Sequence, residues 1–264
     1  MPKGDRTGLP ARVGSRRVDV GGYLIWIQVA GSGSPAVVFE SGGGNDSSVW
    51  SSVEPELRRQ KAVTTVLYDR AGLGRSEPKR GPYQIGDEVA ALRKSLTASG
   101  VDGPIVLVAH SYGGFVTLLT AAADPRVAGL VLVDANIPGF FDEAQVQRLL
   151  TRFNKFADEL ERADPRTAGV MIPIMRALPQ TARQVREIVL PRELPVIDIV
   201  PEETWVESPE EVAAIRREHQ AFVASSPARE AVFASGSGHF VMRDRPDLVV
   251  DAASRLIDRV RARN

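Results

Sequence analysis

The sequence predicts an α/β fold with a mostly parallel, doubly wound central sheet, and three observations carry that expectation. From residue 36 onward, short apolar runs rich in β-branched residues alternate with helical patterns, the rhythm of a parallel sheet covered on both faces. Each motif with chemical potential follows directly on a predicted strand, where such a sheet places its functional loops. One of them, Ala109-His110-Ser111-Tyr112-Gly113, puts a serine at a strand-to-helix corner with little side chain two residues to either side.

The elements follow in order. Residues 17–20 and 23–30 read as two strands joined by Gly21-Gly22, a pair suited to a tight hairpin. Residues 36–40 form a third strand, then Ser41-Gly42-Gly43-Gly44 leads to a helix around 50–59. A strand at 64–68 ends in the loop 69–76, and a helix spans 85–98. The apolar run 104–108 is a buried strand, and a helix with a glycine-rich first turn starts at Tyr112. Strands are predicted again at 127–133, 195–200 and 231–234, with a charged helix at 209–224 and an amphipathic one at 246–261. The rhythm breaks between 136 and 194, a helical span with apolar clusters such as Phe140-Phe141 and Val170-Met171-Ile172. Three units are therefore expected: a loose arm at 1–15 rich in Gly, Pro and Arg, a core at 16–135 and 195–264, and a helical cap at 136–194. Ordinary helical core is the alternative for the last.

Bulk properties narrow the function. A chain of 264 residues with 43% hydrophobic and 25% charged residues is an ordinary globular composition, large enough for a sizeable core. The formal net charge is zero, which gives no electrostatic footprint for nucleic acid or an anionic membrane. Without cysteine there is no disulfide, thiolate catalysis or cysteine-held metal, and His110, His219 and His239 are too scattered for a histidine zinc site. No cofactor is called for. The N-terminal residues lack the apolar stretch of a secretory signal, and nothing approaches the length needed to span a bilayer, so a soluble cytoplasmic protein is expected. The expected partner is a small ester-type molecule, with a homodimer left open.

A serine hydroxyl is a poor nucleophile unless a base takes its proton, and the base must be held in the right tautomer by a third group. Ser111, crowded on its corner beside the start of a helix, is the candidate nucleophile. His239 is the candidate base. It sits in Ser235-Gly236-Ser237-Gly238-His239-Phe240, a loop of small residues after the last strand, before the proline-initiated final helix. His219, within the charged helix 209–224, reads as a solvated or helix-face histidine.

These segments together resemble the α/β-hydrolase family. The corner matches its G-x-S-x-G elbow with Ala109 for the first glycine, residues 69–76 match a D-x-x-G-x-G-x-S loop, and 237–246 match an S-G-H…P segment. The resemblance implies an α/β-hydrolase sheet and the order serine, acid, histidine. It places the acid after the strand 195–200 in most members, where this chain has Thr204 preceded by Glu202 and Glu203. A minority place it after the earlier strand, which points to Asp134. Asp134 is the first choice, with Glu203 or Glu202 as alternatives. The oxyanion hole is expected from the backbone N–H of Tyr112 and of Gly43. Trp50, His110, Phe140 and Phe141 are the candidate pocket residues; Trp50 could equally pack its own helix, and His110 could pack beside the oxyanion loop.

A serine where some relatives carry aspartate disfavours dehalogenase and epoxide hydrolase chemistry. The expected reaction is therefore hydrolysis of a carboxylic ester, lactone or thioester, of carboxylesterase type, with a small-to-medium hydrophobic group. Carbon–carbon hydrolysis, hydroxynitrile cleavage, perhydrolysis, cofactor-free oxygenation and slow-turnover ligand sensing are the alternatives.

Overall fold

The structure is a computed structural model that describes residues 14–263. Its framework is one eight-stranded sheet: β1 (Gly14–Asp19), β2 (Leu24–Gly31), β3 (Ala36–Glu40), β4 (Thr64–Tyr68), β5 (Ile105–His110), β6 (Val127–Val133), β7 (Val196–Pro201) and β8 (Arg229–Ala234). The order across the sheet is β1-β2-β4-β3-β5-β6-β7-β8. β1 and β2 form an antiparallel hairpin over Gly21 and Gly22, and β2 runs antiparallel to β4; every other pairing is parallel. Both hairpin glycines have positive φ, which is why the turn needs them. The first strand starts at Gly14, so residues 14 and 15 belong to the sheet and not to an arm; the rest of the predicted arm lies outside the described residues.

The parallel strands are apolar throughout because both faces are covered. Alternate residues of β3, β5 and β6 serve two cores. Val38, Leu107, Leu130 and Leu132 face one, with α2 (Ile85–Ala98) and α3 (Gly113–Ala123) above them. Val37, Phe39, Val106, Val131 and Val133 face the other, under α1 (Glu54–Gln60) and the terminal α10 (Pro246–Arg263). The helix expected around 50–59 is split. Residues Ser47–Trp50 form a single 3-10 turn, and α1 starts only at Glu54, with Pro55 in its first turn.

Between β6 and β7 the chain forms α4 (Glu143–Asn154), α5 (Ala157–Ala163), α6 (Pro165–Arg176) and α7 (Leu178–Arg186), with no strand among them. This insertion sits at the carboxyl ends of the central strands. Phe140, Phe141, Val146, Leu149, Ile174 and Val185 pack with Phe115 and Tyr112 of the elbow in a third apolar cluster. α8 (Pro209–Ala224) then covers β7 and β8, and the short α9 (Val241–Asp244) precedes α10. Among the described residues no helix is long and apolar enough to cross a membrane.

Candidate active site

The chain turns sharply where β5 ends. Ser111 has φ 52° and Asp134, at the end of neighbouring β6, has φ 39°; they are the only non-glycine residues with positive φ among those described. Such conformations cost on the order of 1–3 kcal/mol and persist only where the surroundings enforce them. At Ser111 the enforcement is explicit. Its N–H donates to Val133 O (3.3 Å), and its carbonyl accepts from Asn136 N (2.8 Å) and Gly114 N (2.9 Å). The next turn has no room for side chains. A Cβ on Gly113 would lie 2.6 Å from Ser41 O, and one on Gly114 2.7 Å from Asn136 O. Ala109, two residues before the serine, points its methyl group into the core, where a methyl is welcome.

Asp134 is almost fully buried, and its carboxylate faces His239: Nδ1 donates to Oδ2 at 2.6 Å. The same carboxylate accepts from Thr204 Oγ1 at 3.0 and 3.1 Å. Thr204, which occupies the loop position where an acid was sought, therefore steadies the aspartate on the neighbouring strand. With its proton on Nδ1, His239 keeps Nε2 as an acceptor. The imidazole is partly open to solvent, 21% for the side chain.

The structure brings neither glutamate to His239. The exposed Glu202 carboxylate accepts from Gly236 N (2.7 Å) and Ser235 Oγ (3.2 Å), and Glu203 is exposed, with its backbone N–H on Ser237 O (3.0 Å). Both brace the histidine loop, which is further tied by Gly238 N to Asp244 Oδ2 (2.9 Å) and Arg245 Nη1 to Ser235 O (2.9 Å).

His110 is 1% exposed and lies beneath the site instead of lining it. Its Nε2–H donates to the His239 carbonyl at 3.0 Å, the two rings are 4.4 Å apart, and a Cβ on Gly42 would come within 2.8 Å of its Nδ1. Burial, reinforced by the neighbouring His239, pushes His110 down to about 3, so it is neutral at physiological pH. Trp50 is not a pocket wall either. It is fully buried against Phe39 (5.3 Å) in the core under α1, because the 3-10 turn aims it inward. Phe140 and Phe141 are buried in the third cluster, where Phe141 meets Phe115 edge-on and Phe140 meets Trp205 edge-on. His219, expected on an open helix face, is buried and paired with Asp198 Oδ2 at 2.7 Å. Alternation along β7 turns Asp198 to the face opposite Ile197 and Ile199, under α8, where a buried carboxylate needs a partner.

The glycine loop after β3 lies against the elbow, with the Cβ position of Gly43 3.7 Å from Tyr112 Cβ. α6 closes over this loop from above. Met171 Sδ comes within 3.0 Å of the Gly43 Cβ position, Thr167 Cγ2 within 3.2 Å of that of Gly44, and Val170 Cγ2 within 2.8 Å of that of Gly72. Tyr112 Oη meets Tyr83 Oη at 2.7 Å.

The residue that sequence reasoning passed over is Arg70. It is buried between Glu40 and the carbonyls of the glycine loop, and Tyr68 also reaches Glu40. A signal existed: Glu40 ends an otherwise wholly apolar central strand, and a carboxylate there demands a buried cation. Asp69, by contrast, serves its own loop, accepting from Ser47 and Arg75. No cluster of three or more metal-ligating side chains occurs among the described residues.

A family profile described as "Alpha/beta hydrolase family" matches residues 37–252. Among curated proteins, the chain is 34% identical over 105 residues to the uncharacterized protein YqjL of Bacillus subtilis, covering 39% of this chain and 41% of that one. It is 39% identical over 99 residues to the lipase LipV of Mycobacterium tuberculosis, covering 37% and 36%. The matches thus span about two-fifths of these relatives' lengths. Among solved structures, epoxide hydrolase VrEH1 from Vigna radiata superposes with a TM-score of 0.72 at 16% identity, covering 94% of this chain and 98% of that one. At that identity the likeness speaks to the fold.

Proposed function

The chain belongs to the alpha/beta hydrolase family, and from that premise we propose that it is a serine hydrolase cleaving a carboxylic ester, lactone or thioester. Ser111 attacks the carbonyl carbon while His239 Nε2 takes its proton, and Asp134 stabilises the imidazolium that results. The tetrahedral oxyanion is held by the N–H groups of Tyr112 and Gly43, the first reinforced by the N-terminus of α3. Collapse expels the alcohol or thiol, which receives the proton from His239 and leaves an acyl-Ser111 ester. Water, deprotonated by the same imidazole, then attacks that ester and releases the acid.

One observation carries this reading: the two strained residues sit at adjacent strand ends, one of them a serine and the other holding a histidine at 2.6 Å. Strain at a structural corner alone would not need a buried carboxylate–imidazole pair beside it. A serine at that corner, where a carboxylate would suit displacement at an alkyl halide or epoxide, favours acyl transfer. The apolar Met171 and Val170 over the glycine loops favour a hydrophobic acyl or alcohol group, with the insertion as the cap that excludes water. The match to a lipase points the same way.

An alkyl fluorophosphonate probe tests the proposal. Stoichiometric labelling of Ser111, abolished in Ser111→Ala and His239→Ala, together with turnover of p-nitrophenyl esters of graded chain length, is the expected result. Folded protein that resists the probe and hydrolyses no ester in the series would overturn it.

A further inference from the structure

The Arg70 guanidinium is 2% exposed and binds the glycine loop in a way that has a geometric consequence. Nη1 contacts the Glu40 carboxylate and donates to Ser41 O at 2.5 Å, while Nη2 donates to Gly42 O at 2.5 Å and Gly43 O at 2.7 Å. One side chain therefore holds three successive backbone carbonyls. In a planar trans peptide unit the C=O and the following N–H point in opposite directions. Fixing carbonyls 41, 42 and 43 on one cation turns the N–H groups of Gly42, Gly43 and Gly44 to the opposite side of the loop. The loop also packs on the elbow, with Ser41 O in the space where a Gly113 side chain would stand. Glycine suits position 113 because backbone must close on backbone there.

We propose that Arg70 is a positioning residue of the oxyanion hole, a clamp that holds the N–H of Gly43 and its neighbours toward the carbonyl under attack. This rests on the serine-hydrolase reading for its catalytic consequence, though not for the clamp itself. Arg70, buried on Glu40 and the loop carbonyls, acts through the loop that it holds. Its fork geometry matters, because a lysine ammonium is a point charge that cannot serve three spaced carbonyls and a carboxylate at once. Glu40 and Tyr68 anchor the clamp from the strand side.

Two variants test it: Arg70→Lys, and Arg70→Met combined with Glu40→Gln, which removes both buried charges together. Burial pushes Glu40 up to about 7 even against the pull of Arg70, so glutamine reproduces the neutral form it would adopt alone. Thermal melting establishes folding. On a p-nitrophenyl ester the double variant should lose about 10²-fold in kcat, the scale of one oxyanion donor. KM should stay within about threefold, and the pH inflection should not move because the His239–Asp134 pair is untouched. Arg70→Lys should recover at most part of the loss. Independently of turnover, ¹⁵N relaxation of the Gly42–Gly44 amides should show them ordered in the parent and mobile in both variants.

Near-parental kcat with equally ordered loop amides would overturn the clamp. If the parent protein hydrolyses no ester and Ser111 resists labelling, the hydrolase reading falls, and the amide measurement alone still decides whether Arg70 orders the loop. Should the double variant fail to fold, Arg70→Lys, which keeps a cation beside Glu40, provides the same readouts.

Discussion

Replacing Asp134 by asparagine isolates the charge of the acid from its shape. Asparagine tolerates positive φ better than other non-glycine residues, so the backbone at φ 39° is kept. The carboxylate it replaces is 1% exposed, accepts from His239 Nδ1 at 2.6 Å, and keeps a second contact to Thr204 at 3.0 Å. Two unit charges about 4 Å apart at an effective dielectric near 20 attract by about 4 kcal/mol. At about 1.4 kcal/mol per decade, losing that stabilisation of the imidazolium costs about 10³-fold in rate. An amide N–H turned toward Nδ1 also forces the histidine proton onto Nε2, the atom that must accept, which brings the expected loss to about 10⁴-fold. Initial rates on p-nitrophenyl butyrate between about pH 6 and 9 give kcat and KM, and thermal melting checks the fold. A folded Asp134→Asn protein with turnover within tenfold of the parent would refute the reasoning, decisively so if Glu203→Gln or Glu202→Gln were inactive instead.

Other expected outcomes follow from the same geometry. Ser111→Gly should abolish turnover yet raise stability by about 1 kcal/mol, about 2–4 °C in Tm, since glycine carries no penalty at φ 52°; unchanged or lower stability in calorimetry would contradict a strained elbow. Gly113→Ala should lose about 2–3 kcal/mol in urea unfolding, because its Cβ would meet backbone oxygen at 2.6 Å. Gly86→Ala in α2, with open space around it, should instead gain about 0.5–1 kcal/mol. His110, held near 3 by burial, stays neutral in the folded protein as pH falls below the ordinary histidine value, whereas the unfolded chain takes up a proton. Its contribution to stability is therefore complete above about pH 6.5 and declines below it by about 1.4 kcal/mol per pH unit. Urea titrations at pH 7 and 5 should show this extra loss in the parent and not in His110→Gln.

Much of the scaffold was legible in the linear chain because the signals are local. Short unbroken runs of apolar, largely branched residues mark β3, β5 and β6, and the two-sided burial of those strands is the physical cause of their uniformly apolar composition. The hairpin at Gly21-Gly22 and the elbow at Ser111 are backbone demands that only certain residues meet, so composition at those points declares them. Edges of elements were less legible. Pro55 delays α1 until Glu54, and β1 reaches back to Gly14 because cross-strand pairing with Val29 extends it beyond what its own residues suggest.

What the sequence determined by itself was a family of backbones and the serine corner, since strand periodicity, glycine placement and helix initiation are properties of neighbouring residues. Only the tertiary structure brought Asp134, and neither glutamate, to His239: that contact depends on where a loop from β7 runs relative to the end of β6, a distance that no spacing encodes. It also buried Trp50 and His219, set His110 under the histidine loop, and drew Arg70 onto three carbonyls from a strand away. Buried charges and imidazoles take their roles from partners remote in the chain, and those partners are fixed only once the sheet has assembled.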